Sequence, residues 1–78
     1  MSTIKVLEEL KLVDSVCEQL ATEMQTIEDA YARGDLSREE RDYLLTEICE
    51  VRAARETAGN EIAMRKIVAA ARVLLAVI

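Results

Sequence analysis

The stretch VLEELKLVDSVCEQLATEMQTIEDAY, running from Val6 to Tyr31, decides the fold. Its apolar residues Val6, Leu10, Val13, Cys17, Leu20, Met24, Ile27 and Tyr31 follow one another at steps of 4, 3, 4, 3, 4, 3 and 4. A helix of 3.6 residues per turn gathers such positions on one narrow stripe, whereas a half-buried strand needs every second residue apolar. Between them stand Glu8, Glu9, Lys11, Asp14, Glu18, Gln19, Glu23, Gln25, Glu28 and Asp29, which make the opposite face wet. The spacing predicts one helix over about residues 3–33, roughly 45 Å long at 1.5 Å per residue. Ile4, Leu7, Leu12 and Val16 widen the apolar surface near its start, so more than one neighbour is expected there.

The next residues carry stop and start chemistry. Gly34 can take the left-handed conformation that ends a helix, and Arg33 before it suits the negative end of the helix dipole. Ser37, with Glu40 three positions later, has the spacing of a capping box. A second helix is therefore expected over about residues 38–58, folded back antiparallel to the first because the connection is short. Leu36 precedes the cap, where a hydrophobic staple would begin, but the partner position holds Arg41; Leu36 is expected to cover Tyr31 or Leu44 instead. The second helix has a weaker apolar row, Leu44, Ile48, Val51, Arg55, Ala58 and Ile62, with Leu45 and Cys49 beside it. That row loses phase near Gly59 and Asn60, which favours a joint there over one continuous helix whose buried face rotates. A third helix, about residues 61–78, presents Met64, Ile67, Val68, Ala71, Leu74, Leu75 and Ile78.

Composition agrees with this all-α reading of a single domain over residues 1–78. Of the 78 residues, 51% are hydrophobic and 32% charged, with no proline, two glycines and 3% aromatics, too little turn and aromatic chemistry for a small sheet protein. Residues 1–33 hold three basic and seven acidic side chains, residues 34–57 four and seven, and residues 58–78 three and one, for a net charge of −5. A mildly acidic body without stacking aromatics argues against a nucleic-acid binder. The segment around Glu8, Glu9 and Lys11 breaks any signal-peptide pattern, so a cytoplasmic protein is expected. The apolar end from Ile67 to Ile78 would rise only about 18 Å as a helix, short of a bilayer's roughly 30 Å core, so no transmembrane segment is expected.

No catalytic, cofactor-binding or metal-binding constellation emerges, and no small-molecule substrate is expected. Histidine is absent, and the adjacent carboxylates Glu8-Glu9, Glu28-Asp29 and Glu39-Glu40 point about 100° apart on a helix. Cys17 and Cys49 read as small buried hydrophobes in a reducing compartment; a disulfide pinning the two helices is the alternative.

The segment Ile27–Ile48, IEDAYARGDLSREERDYLLTEI, resembles SHOCT-type helical-hairpin oligomerisation segments and small phage-encoded helical proteins through Gly34, Leu36, Ser37, Glu39-Glu40, Tyr43 and Leu44-Leu45. It departs from the SHOCT pattern at Arg41, where such segments carry an aromatic. The resemblance implies an interaction or assembly role, in a phage that of a small virion-associated or assembly component.

The apolar stripes are longer and wider than one small monomer is expected to bury, and the rival is a closed three-helix monomer with some apolar surface. The expected function is thus a non-enzymatic oligomerisation or assembly protein, a homo-oligomer or part of a larger protein assembly. It would use the first-helix stripe from Val6 to Tyr31 and the third-helix residues from Met64 to Ile78 as interaction faces. An alternative class is a small acidic inhibitor or adaptor that occupies a basic site on a larger protein through charged faces such as Glu8, Glu9 and Asp42. A third is a helix lying in a membrane surface, with Arg65, Lys66 and Arg72 on its polar side.

Overall fold

Asp14 divides the heptad stretch in two. In a computed structural model describing residues 3–76, with side chains from 5 to 76, α1 spans Thr3–Lys11 and α2 spans Ser15–Ala32. The expected single helix over residues 3–33 is therefore corrected. Asp14 lies in extended backbone, at φ −165° and ψ 179°, and its Oδ1 accepts the Cys17 N–H at 2.8 Å. Its carbonyl accepts the Glu18 N–H at 2.9 Å, so α2 starts from a helix N-cap that the heptad spacing conceals. Val13, expected inside the stripe, is left at 37% exposure on the turn, and Leu12 beside it at 85%. The break changes the size of the molecule. Its longest extent is 35 Å and its radius of gyration 11.6 Å, close to the ~11.5 Å of a closed globule of this length.

The connection after α2 forms as the residues dictate. Gly34, at φ +83°, donates its N–H to the Tyr31 carbonyl at 3.1 Å, while the Asp35 N–H reaches the Ala30 carbonyl at 2.9 Å. That pair is a Schellman motif, and it satisfies carbonyls that the end of a helix would leave open. Ser37 then caps α3, Arg38–Glu47: its Oγ accepts the Glu40 N–H at 3.1 Å, and Glu40 Oε1 accepts the Ser37 N–H at 2.8 Å. The Ser37 N–H holds the Glu40 carboxyl below its usual range, and the Cys17 N–H does the same for Asp14.

The second expected helix is also interrupted. Ile48–Arg52 is one π-helical turn, in which the Ala53 N–H donates to the Ile48 carbonyl five residues back, and α4 follows over Ala53–Thr57. A π turn places residues five apart one above the other, so Ile48 and Ala53 are both buried and the inner row continues to Thr57. The expected row through Val51, Arg55, Ala58 and Ile62 is turned outward; Val51 is 47% and Ile62 69% exposed. The apolar phase thus changes at Ile48, ahead of the glycine.

A joint nevertheless stands at residues 58–60. Ala58 is left-handed at φ +37°, Gly59 follows at φ +89°, and Asn60 Oδ1 accepts the Ala63 N–H at 3.1 Å to open α5, Glu61–Ala76. Every described element is helical, and α5 is the hub that packs against α1, α2, α3, α4 and the π turn. Its small residues Ala63, Ala70 and Ala71 are buried with Ile67 and Leu74, which lets the neighbouring helices approach closely.

Candidate interaction surfaces

Two faces expected to meet a partner meet each other instead. From the first stripe, Leu10, Cys17, Leu20 and Met24 are buried; Val6 and Ile27 pack against the core from its edge, and Tyr31 is half-buried. From the third helix, Ile67, Ala71 and Leu74 are buried, and Met64, Val68 and Leu75 pack on the core. Ile78 lies outside the described residues. The apolar side that a helix in a membrane surface would present is occupied by the chain's own helices. Among the described residues no helix is long and apolar enough to cross a membrane.

Arg41 ties this core together, and its role was not visible in the sequence. It occupies the fourth helical position after the Ser37 cap, where a staple would bury a hydrophobe, and it is 2% exposed. Its Nε donates to Glu28 Oε1 at 2.9 Å, one Nη to Asp42 Oδ1 at 2.8 Å, and the other Nη to the Leu74 carbonyl. The guanidinium also lies 5.3 Å from the centre of the Tyr31 ring. One cation thus joins α2, α3 and the last turn of α5, where a positive charge suits the helix dipole. The available signal was position: an inward site held by arginine, with Glu28 and Tyr31 on the preceding helix.

Arg52 makes a second tie. Both terminal nitrogens grip the Glu23 carboxylate on α2, one at 2.8 Å, and Nε donates to Glu56 at 2.6 Å. These bonds raise the guanidinium's pKa still further, the Glu23 pair contributing most. The π turn aims Arg52 at α2, so the helical irregularity and the ion pair belong together. Among the described residues, no buried polar side-chain atom lacks a hydrogen-bond partner.

Two surfaces with apolar clefts remain outside, one rimmed by carboxylates and one with a single acid and a single base. On one side, clefts of about 320 Å³ and about 280 Å³ share Leu44. Leu36 and Tyr43 line the first, and Ile27 and Ile48 the second. Glu39, Glu40 and Glu47 stand exposed along their rim, and Tyr43 is 66% exposed between them. Leu36 therefore sits in a cleft with Leu44, one of its two expected partners. On the other side, a groove of about 180 Å³ runs between α1 and α5, lined by Val6, Leu10, Val13, Ala69 and Val73 with Glu9 and Lys66 at its edge.

Both cysteines are free thiols. Cys17 is wholly buried, and burial first, then its contact with Asp14, pushes its pKa up to about 11. A raised thiol pKa favours the neutral folded form. Its contribution to stability is complete below the unfolded thiol's value of about 9 and is lost as pH rises towards 11. At neutral pH a thiol reagent is expected to label the half-buried Cys49 in the native protein and Cys17 only after unfolding. Equal rapid labelling of both would contradict the burial of Cys17. No family model matches the chain, and no curated protein and no solved structure matches it.

Proposed function

We propose that the chain is a non-enzymatic helical assembly protein that associates with further copies of itself, in a phage setting as a small virion-associated or assembly component. The observation that supports this reading is the apolar surface left around the α1–α5 groove. Val13 and Val73, which line it, remain 37% and 41% exposed although the helices have closed on a shared core, and Leu12, next to Val13 in the chain, is 85% exposed. Apolar side chains gathered at a groove are a usual mark of an interface. The revised site is smaller than the two stripes suggested, since most of their residues hold the monomer together. Sedimentation of the protein across a wide concentration range tests the proposal. A mass well above 8.7 kDa that grows with concentration is expected, and a concentration-independent monomer would remove the reading.

A second reading, an acidic adaptor for a basic site on a larger protein, is favoured by the exposed Glu39, Glu40 and Glu47 around Tyr43. It calls for a monomer by itself and for binding that weakens steeply with salt.

A further inference from the structure

We infer that the partner of the acidic cleft on α3 is the basic outer face of α5 on a second copy of the chain, so that copies dock head to tail. This deepens the assembly reading and rests on it. The two faces complement each other in charge, spacing and shape.

The outer face of α5 carries Ile62, Lys66, Ala69, Val73 and Ala76 at steps of 4, 3, 4 and 3, with Arg65 and Arg72 along one edge; all seven are exposed. The helix has three basic side chains and one acidic one, Glu61, which pairs with Arg65 at 2.6 Å. Lys66 and Arg72 make no ion pair among the described residues. The acceptor has the opposite arrangement. Glu39, Tyr43 and Glu47 lie four residues apart on the outer line of α3, beside the apolar floor of Leu36 and Leu44. The two glutamates are about 12 Å apart along α3; Lys66 and Arg72 are about 9 Å apart along α5 and about 120° apart around it, so they flank Ala69 and their long side chains can reach the acidic pair from either side.

Shape follows the same order. Tyr43 is 66% exposed, its hydroxyl donating to Glu47 Oε2 at 3.4 Å, and Ala69 is a small exposed residue between Lys66 and Arg72 in the chain. A tyrosine seated over Ala69 would have cations on both sides of its ring and Val73 against its edge. Three exposed large apolar residues, Tyr43, Ile62 and Val73, would leave water in one contact. Because donor and acceptor are different surfaces of the same chain, the contact is heterologous and propagates to a ring or a filament.

Two double variants and their mixture test this. In E39K/E47K the cleft is reversed and α5 is intact; in K66E/R72E the cleft is intact and α5 is reversed. Each alone is expected to associate at least about tenfold more weakly than the unmodified chain, with unchanged helical circular dichroism. Mixed in equal amounts they should assemble again, because every contact between unlike chains is then complementary. The unmodified protein's association should also weaken about tenfold or more between low and high salt, a measurement that needs no variant. If the unmodified chain stays monomeric at every concentration, the assembly reading falls and this contact with it. If it assembles but salt and both double variants leave assembly unchanged, or the mixture fails to restore it, this contact is overturned while self-association stands.

Discussion

Replacing Arg41 with methionine is expected to lower the unfolding free energy by about 3 kcal/mol, the largest loss from any single charged residue here. Methionine keeps the length and most of the packing of the stem, so the change isolates the guanidinium. The Leu74 carbonyl loses its donor in a buried place, which costs about 1–3 kcal/mol. Glu28 loses the Nε bond, and Tyr31 loses its cation. Breaking a fully buried ion pair costs about 3–5 kcal/mol, but the side chains of Glu28 and Asp42 keep 22% and 37% exposure and regain water, which brings the sum down. Lysine cannot replace a fork that bonds in three directions, so R41K should recover less than half of the loss. In a double-mutant cycle, E28Q combined with R41M should cost less than the two single changes added, by about 1 kcal/mol. Urea unfolding measures all three. If R41M lies within about 0.5 kcal/mol of the unmodified protein, Arg41 is a tolerated buried cation and not a tie.

The parts that could be read in advance are those whose partners lie within a few residues. Gly34, Ser37, Glu40 and Asn60 act on backbone groups at most four positions away, so residue type and spacing contain nearly all the information. Asp14 works in the same local way and was still missed, because a heptad pattern records only its apolar members and passes over a cap between Val13 and Cys17. The pairs Arg41–Leu74 and Arg52–Glu23 span 33 and 29 residues, and no periodicity reports which helix faces which. The π turn has one trace in the sequence: inner positions separated by five, Ile48 and Ala53, where three or four would be usual. Periodicity identified the inner faces and left open whether the covering helix came from the same chain. That ambiguity moved the candidate site from the stripes themselves to what they leave exposed.

Leu20 decides between those two kinds of cover. L20D is expected to abolish the fold at neutral pH in a dilution-independent way. Leu20 is fully buried within one chain, on the α2 stripe between Cys17 and Met24. An aspartate there has no cation to meet, so it either carries a buried unpaired charge or takes up a proton. Neutralising a carboxyl of ordinary pKa at pH 7 costs about 4 kcal/mol, and losing a buried leucine costs a further ~2–5 kcal/mol. A chain of this length has only about 4–12 kcal/mol in hand, so most of the population should unfold. L20A meets only the second cost and should stay folded with a lower urea midpoint. If Leu20 faced another copy, the outcome would differ in kind: L20D would be a helical, cooperatively unfolding monomer of 8.7 kDa. Circular dichroism and sedimentation on the same sample separate these results. Lost helicity supports the self-covered core, whereas a well-folded monomeric L20D would return the first-helix stripe to the surface as the contact between copies.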